Sequence, residues 1–198
     1  FICFMVVSVL LTASFALAET IQYPDTDPAL RVGELNYNTP ELDLISWSTG
    51  TNMPTARYSG ACGWYDGQLF VSHGRFSGVA PYNTDACEAY NPVTDTWTTM
   101  TPGPTARRMV GAGMVQIGST LYVVGGRFST STTVGTLEAY DMATDTWTTL
   151  APCTPRWAHG AATAGGYLYV FGSSGSPAAN TSAERYDPGT NTWSAMAN

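Results

Sequence analysis

Eight arginines are the only basic side chains of this 198-residue chain apart from two histidines, and their neighbours suggest what they do. Arg75-Phe76 and Arg127-Phe128 stand in matching Arg-Phe-Ser tripeptides, with Tyr82 and Trp157 close to similar positions. A guanidinium is a planar fork that suits a carboxylate or sulfate, and an aromatic face stacks on a sugar ring or a peptide side chain. Arg75, Arg127, Phe76, Phe128, Tyr82 and Trp157 are therefore the candidate ligand-binding set. Arg57, Arg107 and Arg156 each close a proline-rich connector and recur once per repeat, which reads as a structural role, pairing with Glu88, Glu138 or Glu184 or packing on a tryptophan. With no lysine there is no Schiff-base or P-loop chemistry. His73 and His159 are the only histidines and occupy different repeat positions, a poor basis for a metal site. His159 reads as a packed or capping residue, whereas His73 replaces a small residue and is a candidate for a functional role. The Asp141–Asp145 turn lacks the ligand density of a calcium loop. No catalytic residue, metal or cofactor is assigned.

The elements that must position these residues are short and repeated. Trp47, Trp97, Trp147 and Trp193 lie 50, 50 and 46 residues apart. Around them run EAYNPVTDTWTTM at 88–100, EAYDMATDTWTTL at 138–150 and ERYDPGTNTWSAM at 184–196. Ahead of these stand LFVSHG at 69–74, LYVVGG at 121–126 and LYVFGS at 168–173. Such self-similarity signals a repeat architecture, and each unit reads as four short strands separated by turn formers. The second strand of each unit shows no polar alternation, which predicts burial on both faces. Composition agrees: 44% hydrophobic residues supply a core, while 12% charged residues argue against long solvated helices. A net charge of −7 argues against a nucleic-acid partner.

Phe1–Ala18 is apolar and uncharged, and Ala16 and Ala18 before Glu19 fit a signal-peptidase site. The expectation is a signal peptide over 1–18, clipped at its N-terminus, then a lead-in over 19–34. The protein would be secreted, periplasmic or at the cell surface, touching a membrane only if the segment stays uncleaved. Cys62, Cys87 and Cys153 remain, an odd number for an exported chain. Cys62 and Cys87 fall on the first and third strands of one unit, about 9–10 Å apart at ordinary strand spacing, so no disulfide joins them.

The double glycine Gly125-Gly126, the tyrosines Tyr90, Tyr140 and Tyr186 seven residues before Trp97, Trp147 and Trp193, and the proline-arginine connector resemble kelch repeats. The resemblance implies an all-β fold, a β-propeller of four-stranded antiparallel blades. It covers 35–198 as a half blade over 35–49 and units over 50–100, 101–150 and 151–198, about three and a half blades and therefore incomplete. His73-Gly74 and Gly172-Ser173 depart from the double glycine, which predicts local distortion there. In such blades the long connectors and six arginines share one face, while Asp66, Asp95, Asp141, Asp145 and Asp187 collect on the other, giving a polarised field. The implied function is an exported, non-enzymatic scaffold that binds a protein or glycan ligand through the Arg-bearing face. The alternative is an exported enzyme on the same fold, resembling galactose oxidase with its copper or a sialic-acid mutarotase. No Tyr-His dipeptide supports the copper version. Asn180-Thr181-Ser182 is an N-glycosylation triplet.

Overall fold

The computed structural model describes residues 48–76, 82–111, 115–128, 132–174 and 179–197. The expected signal peptide, the lead-in and the half blade up to Trp47 lie outside the described residues. Gly50–Asn198 forms one compact unit. Three four-stranded antiparallel sheets follow one another along it, and no helix occurs among the described residues. The first blade is β1 (Ala61–Tyr65), β2 (Gln68–Arg75), β3 (Asn83–Asn91) and β4 (Thr96–Met100). The second is β5 (Gln116–Ile117), β6 (Thr120–Val124), β7 (Leu137–Asp141) and β8 (Thr146–Leu150). The third is β9 (Gly160–Ala164), β10 (Tyr167–Phe171), β11 (Ala183–Asp187) and β12 (Thr192–Ala195). Strands pair in sequence order within each sheet, as propeller blades do.

The core lies between blades rather than within them. On β6, Leu121 and Val123 join Phe70, Ala89, Tyr140 and Met142 in one cluster. The alternate residues Tyr122 and Val124 join Leu168, Val170 and Tyr186 in the other. A strand buried on both faces needs a neighbour on both sides, and only the second blade has two among the described residues. The expectation of two-sided burial therefore holds for β6 and fails for β2 and β10. Tyr167, Leu168, Tyr169 and Val170 alternate between half-buried and buried, and Phe171 is 51% exposed.

The Tyr and Trp of the repeat are a clasp. Trp97, Trp147 and Trp193 donate their indole N–H to the carbonyls of Thr51, Thr101 and Ala151 at 2.9, 2.8 and 2.7 Å. Those residues lie in the connectors that enter each blade. The same backbone segments donate N–H to Asp95, Asp145 and Asn191 at 2.7, 2.9 and 2.9 Å. Tyr90, Tyr140 and Tyr186 donate their hydroxyls to the same three side chains. Asp95, Asp145 and Asn191 all take φ near +54, which Asp and Asn tolerate better than most residues. The recurring Tyr, Asp/Asn and Trp thus lock each blade to the chain arriving from the one before.

The double glycine marks the other point of close approach. Gly125 and Gly126 have φ of +61 and +102, and Gly126 donates its N–H to the carbonyl of Arg156 at 2.8 Å. A Cβ on Gly125 would meet that carbonyl at 2.6 Å. In the first blade Gly74 makes the same bond to Arg107 at 3.0 Å, and His73 takes the left-handed place at φ +58. The β2–β3 register shifts between Ser72 and Gly74, the local distortion that His73-Gly74 predicts.

Candidate functional site

Three arginines are consumed by the structure. Arg57 pairs with Glu88 and Arg156 with Glu184, each through charge-assisted hydrogen bonds in the blade interior. Arg107 lies 3.0 Å from Glu138, both side chains sealed from solvent. Arg57 and Arg156 also donate to the carbonyls of His73 and Gly172 at 3.3 and 3.2 Å, tying two strands of a blade together.

The second pair has a third member. His73 Nε2 sits 3.3 Å from Glu138 Oε2, its other nitrogen is 2.7 Å from Ser72 Oγ, and its ring meets Trp147 edge-on at 5.4 Å. Arg107 and Glu138 touch as an ion contact without an aligned hydrogen bond. Burial raises the pKa of Glu138, but the His73 ring nitrogen close by and the charge of Arg107 outweigh it and hold the carboxyl below its usual range. Burial lowers the pKa of His73, against the pull of Glu138. At 0% exposure this cluster faces no ligand. His159 is 2% exposed and makes no hydrogen bond, a packed ring.

The other three arginines of the loop-bearing face converge on one edge. In blade order the edge reads Tyr58, Arg75, Arg108, Arg127, Trp157. Arg75 lies 5.8 Å from the ring centres of both Tyr58 and Tyr82, and Arg127 lies 4.6 Å from that of Trp157. Arg108 pairs antiparallel with Arg127 through the backbone and donates to Asn83 Oδ1 at 3.2 Å. Asn83 in turn donates its amide to the carbonyls of Arg127 and Phe128, joining the first blade to the second. Burial, then repulsion from Arg75 and Arg127, lowers the pKa of Arg108. No carboxylate pairs with Arg75, Arg108 or Arg127 among the described residues, and the Nε of each is buried without a hydrogen-bond partner. Three unneutralised cations between two aromatic rings form a strip that can hold an anion bidentately and cover its apolar flank.

Of the residues singled out in the sequence, Arg75, Arg127, Tyr82 and Trp157 meet on this strip. Phe128 is 41% exposed beside it. Phe76 is half-buried, and its N–H bonds the carbonyl of Tyr82 at 3.1 Å. Asn180 is exposed in a turn on the same connector face. Arg108 and Asn83 are the members that the sequence reading did not select. The signal was the Arg107-Arg108 doublet, standing where the other units have Arg57-Tyr58 and Arg156-Trp157.

Residues 108–154 and 155–198 each match the kelch motif. Among solved structures, YjhT superimposes with a TM-score of 0.60 at 18% sequence identity, over 76% of this chain and 54% of that one. The chain thus spans about half the length of YjhT, and the likeness is one of fold. No curated protein sequence matches it significantly.

Proposed function

We propose that this chain, with its two kelch motifs and three propeller blades, is an exported binding scaffold for a carboxylate- or sulfate-bearing glycan or protein ligand. The observation that carries the reading is the sorting of arginines. Arg57, Arg107 and Arg156 each own a glutamate, whereas Arg75, Arg108 and Arg127 have none among the described residues and stand together. Arg108 is nearly sealed and Arg75 and Arg127 are half-buried beside it, and cations gathered without carboxylates on a loop-bearing rim favour an anionic ligand. Tyr58, Tyr82 and Phe128, each more than 40% exposed, offer the apolar contact that selects a ring or peptide side chain over a bare ion. The apolar first eighteen residues support export.

The enzymatic alternative finds less support. An acid or base serving a ligand on the strip must reach it, and both histidines are sealed. Among the described residues no three His, Cys, Asp or Glu side chains come together. The test is an array of sulfated, sialylated and neutral glycans together with acidic peptides, probed with the full chain and with an Arg75→Ala/Arg127→Ala variant. Loss of the anionic ligands in the variant, with neutral spots unaffected, is the expected result; their retention by the variant would refute the reading. A ligand set confined to neutral partners would remove the anion strip as a binding site.

A further inference from the structure

The first and second blades pack closely because Met142, 5% exposed, fills the space beside Phe70 and Ala89. The repeat aligns Met142 with Pro188 in the third blade, since Asp141-Met142 and Asp187-Pro188 each follow the core tyrosine. The proline ring cannot extend as the methionine does. Between the second and third blades a groove of about 230 Å³ is left.

Two cross-strand rows of the second blade line it: Thr120, Asp141 and Thr146, then Tyr122, Ala139 and Thr148. Ala139 is small and leaves the middle of the floor low. Tyr122 is 6% exposed, yet its hydroxyl has no hydrogen-bond partner among the described residues, unlike those of Tyr90, Tyr140 and Tyr186. The first blade, where the gap is filled, carries Phe70 at that position. That hydroxyl opens onto the groove instead of being sealed among protein atoms, so it is available to a partner from outside.

We propose that this groove is a second binding site, distinct from the arginine strip, for a neutral hydroxyl-rich ligand the size of one pyranose ring. The Thr120 and Thr148 hydroxyls and the Tyr122 phenol both donate and accept, as a sugar's hydroxyls do, while Thr146 already shares a hydrogen bond with Thr144 at 2.8 Å. The Asp141 carboxylate, held ionised by the N–H of Ala143 at 2.9 Å, accepts a sugar hydroxyl and repels anions. No cation lines the groove to offset it. Its volume lies below the roughly 300–1,000 Å³ of drug-sized sites, which limits the occupant to a single ring. Thr120, Asp141 and Thr146 sit beside the β5–β6 and β7–β8 turns, at the blade end opposite the strip, so the two sites are separable.

Saturation-transfer NMR on the full chain tests this with three neutral probes: methyl β-D-glucopyranoside, methyl β-D-galactopyranoside and methyl α-D-mannopyranoside. At least one should receive saturation from wild-type protein. Pro188→Met should abolish the transfer by filling the groove as Met142 fills its counterpart. Tyr122→Phe should weaken the same glycoside about tenfold, the equivalent of about one hydrogen bond. Tyr122→Phe adds no bulk and keeps the test decisive if Pro188→Met fails to fold. Arg75→Ala/Arg127→Ala should leave the transfer unchanged. Silence from all three glycosides, or a signal indifferent to both groove substitutions, would overturn the proposal. Loss in the arginine variant would do so too, by assigning the sugar to the strip.

Discussion

Acid should weaken this protein through His159. The ring packs against Gly111 and Gly125, is 2% exposed, and neither nitrogen finds a hydrogen-bond partner. Burial, and then the charge of Arg156, drives its pKa from the ordinary 6.5 down to about 4. An unfolded chain takes up this proton near 6.5, whereas the folded one resists it until about 4, so between those values the unfolded state binds more protons. The stabilisation is therefore complete above 6.5, lost as pH falls through the window, and constant below it. The gap between 6.5 and about 4 corresponds to about 3 kcal/mol, of which more than half is gone by about pH 5. That is a large share of a stability of about 5–15 kcal/mol. His73 acts with the same sign, since burial and the charge of Arg107 outweigh the pull of Glu138. Urea unfolding of wild type and His159→Phe at pH 7.5, 6 and 5 isolates the effect, because carboxylates such as Asp95 titrate equally in both. The wild-type advantage over the variant should shrink by about 2 kcal/mol between pH 7.5 and 5. Parallel curves over that interval would refute the argument, since a phenyl ring has no proton to take up.

Other substitutions separate the structural arginines from the strip. Arg107→Met leaves Glu138 buried without its cation and should cost about 3–5 kcal/mol by urea unfolding. Arg75→Ala and Arg127→Ala, with no carboxylate to strand, should each stay within about 0.5 kcal/mol while weakening anionic ligands on the array. Asp145→Ala removes the acceptor of Thr101 and Tyr140 at a left-handed position and should cost about 1–3 kcal/mol, while Asp145→Asn, the residue that Asn191 supplies in the third blade, should cost less than half as much in the same melts. Burial pushes the Cys87 and Cys153 thiols up to about 12 and about 11, so iodoacetamide at pH 8 should label them only after unfolding. A non-reduced digest should contain no Cys62–Cys87 linkage, because Cys62 lies opposite Val71 and Cys87 opposite Ser72 across β2.

Much of the fold was legible because its determinants are local and recur. Turn residues, the alternation-free inner strand and the Tyr-to-Trp spacing each depend on a few neighbouring positions, and three copies reinforce one another. What a repeat does not encode is its surroundings. β6 and β10 carry similar apolar runs, LYVV and YLYVF, but β6 is sealed on both faces and β10 only on one. Packing partners decide burial, and they lie about fifty residues away along the chain.

The arginines show where such reading stops within the site itself. Arg57, Arg107 and Arg156 could be paired with glutamates from spacing alone, because arginine and glutamate recur together in every unit. Arg108 could not be placed by that rule. Its position follows from Met109, which adopts φ +53, as Ser59 and Ala158 adopt +57 and +47 at the equivalent places. This shared left-handed residue sets the course of the chain just after Tyr58, Arg108 and Trp157, so the three belong to one rim. Serine, methionine and alanine carry no common signal for a left-handed conformation, which a side chain other than Gly, Asn or Asp enters at a cost of about 1–3 kcal/mol. A strained residue repeated in three blades with three different side chains points to the tertiary structure as its cause. The Gly126 N–H to Arg156 carbonyl bond, and its Gly74–Arg107 counterpart, hold the chain one or two residues upstream. Close packing of one blade on the next therefore imposes the turn, and the turn brings Arg108 between Arg75 and Arg127.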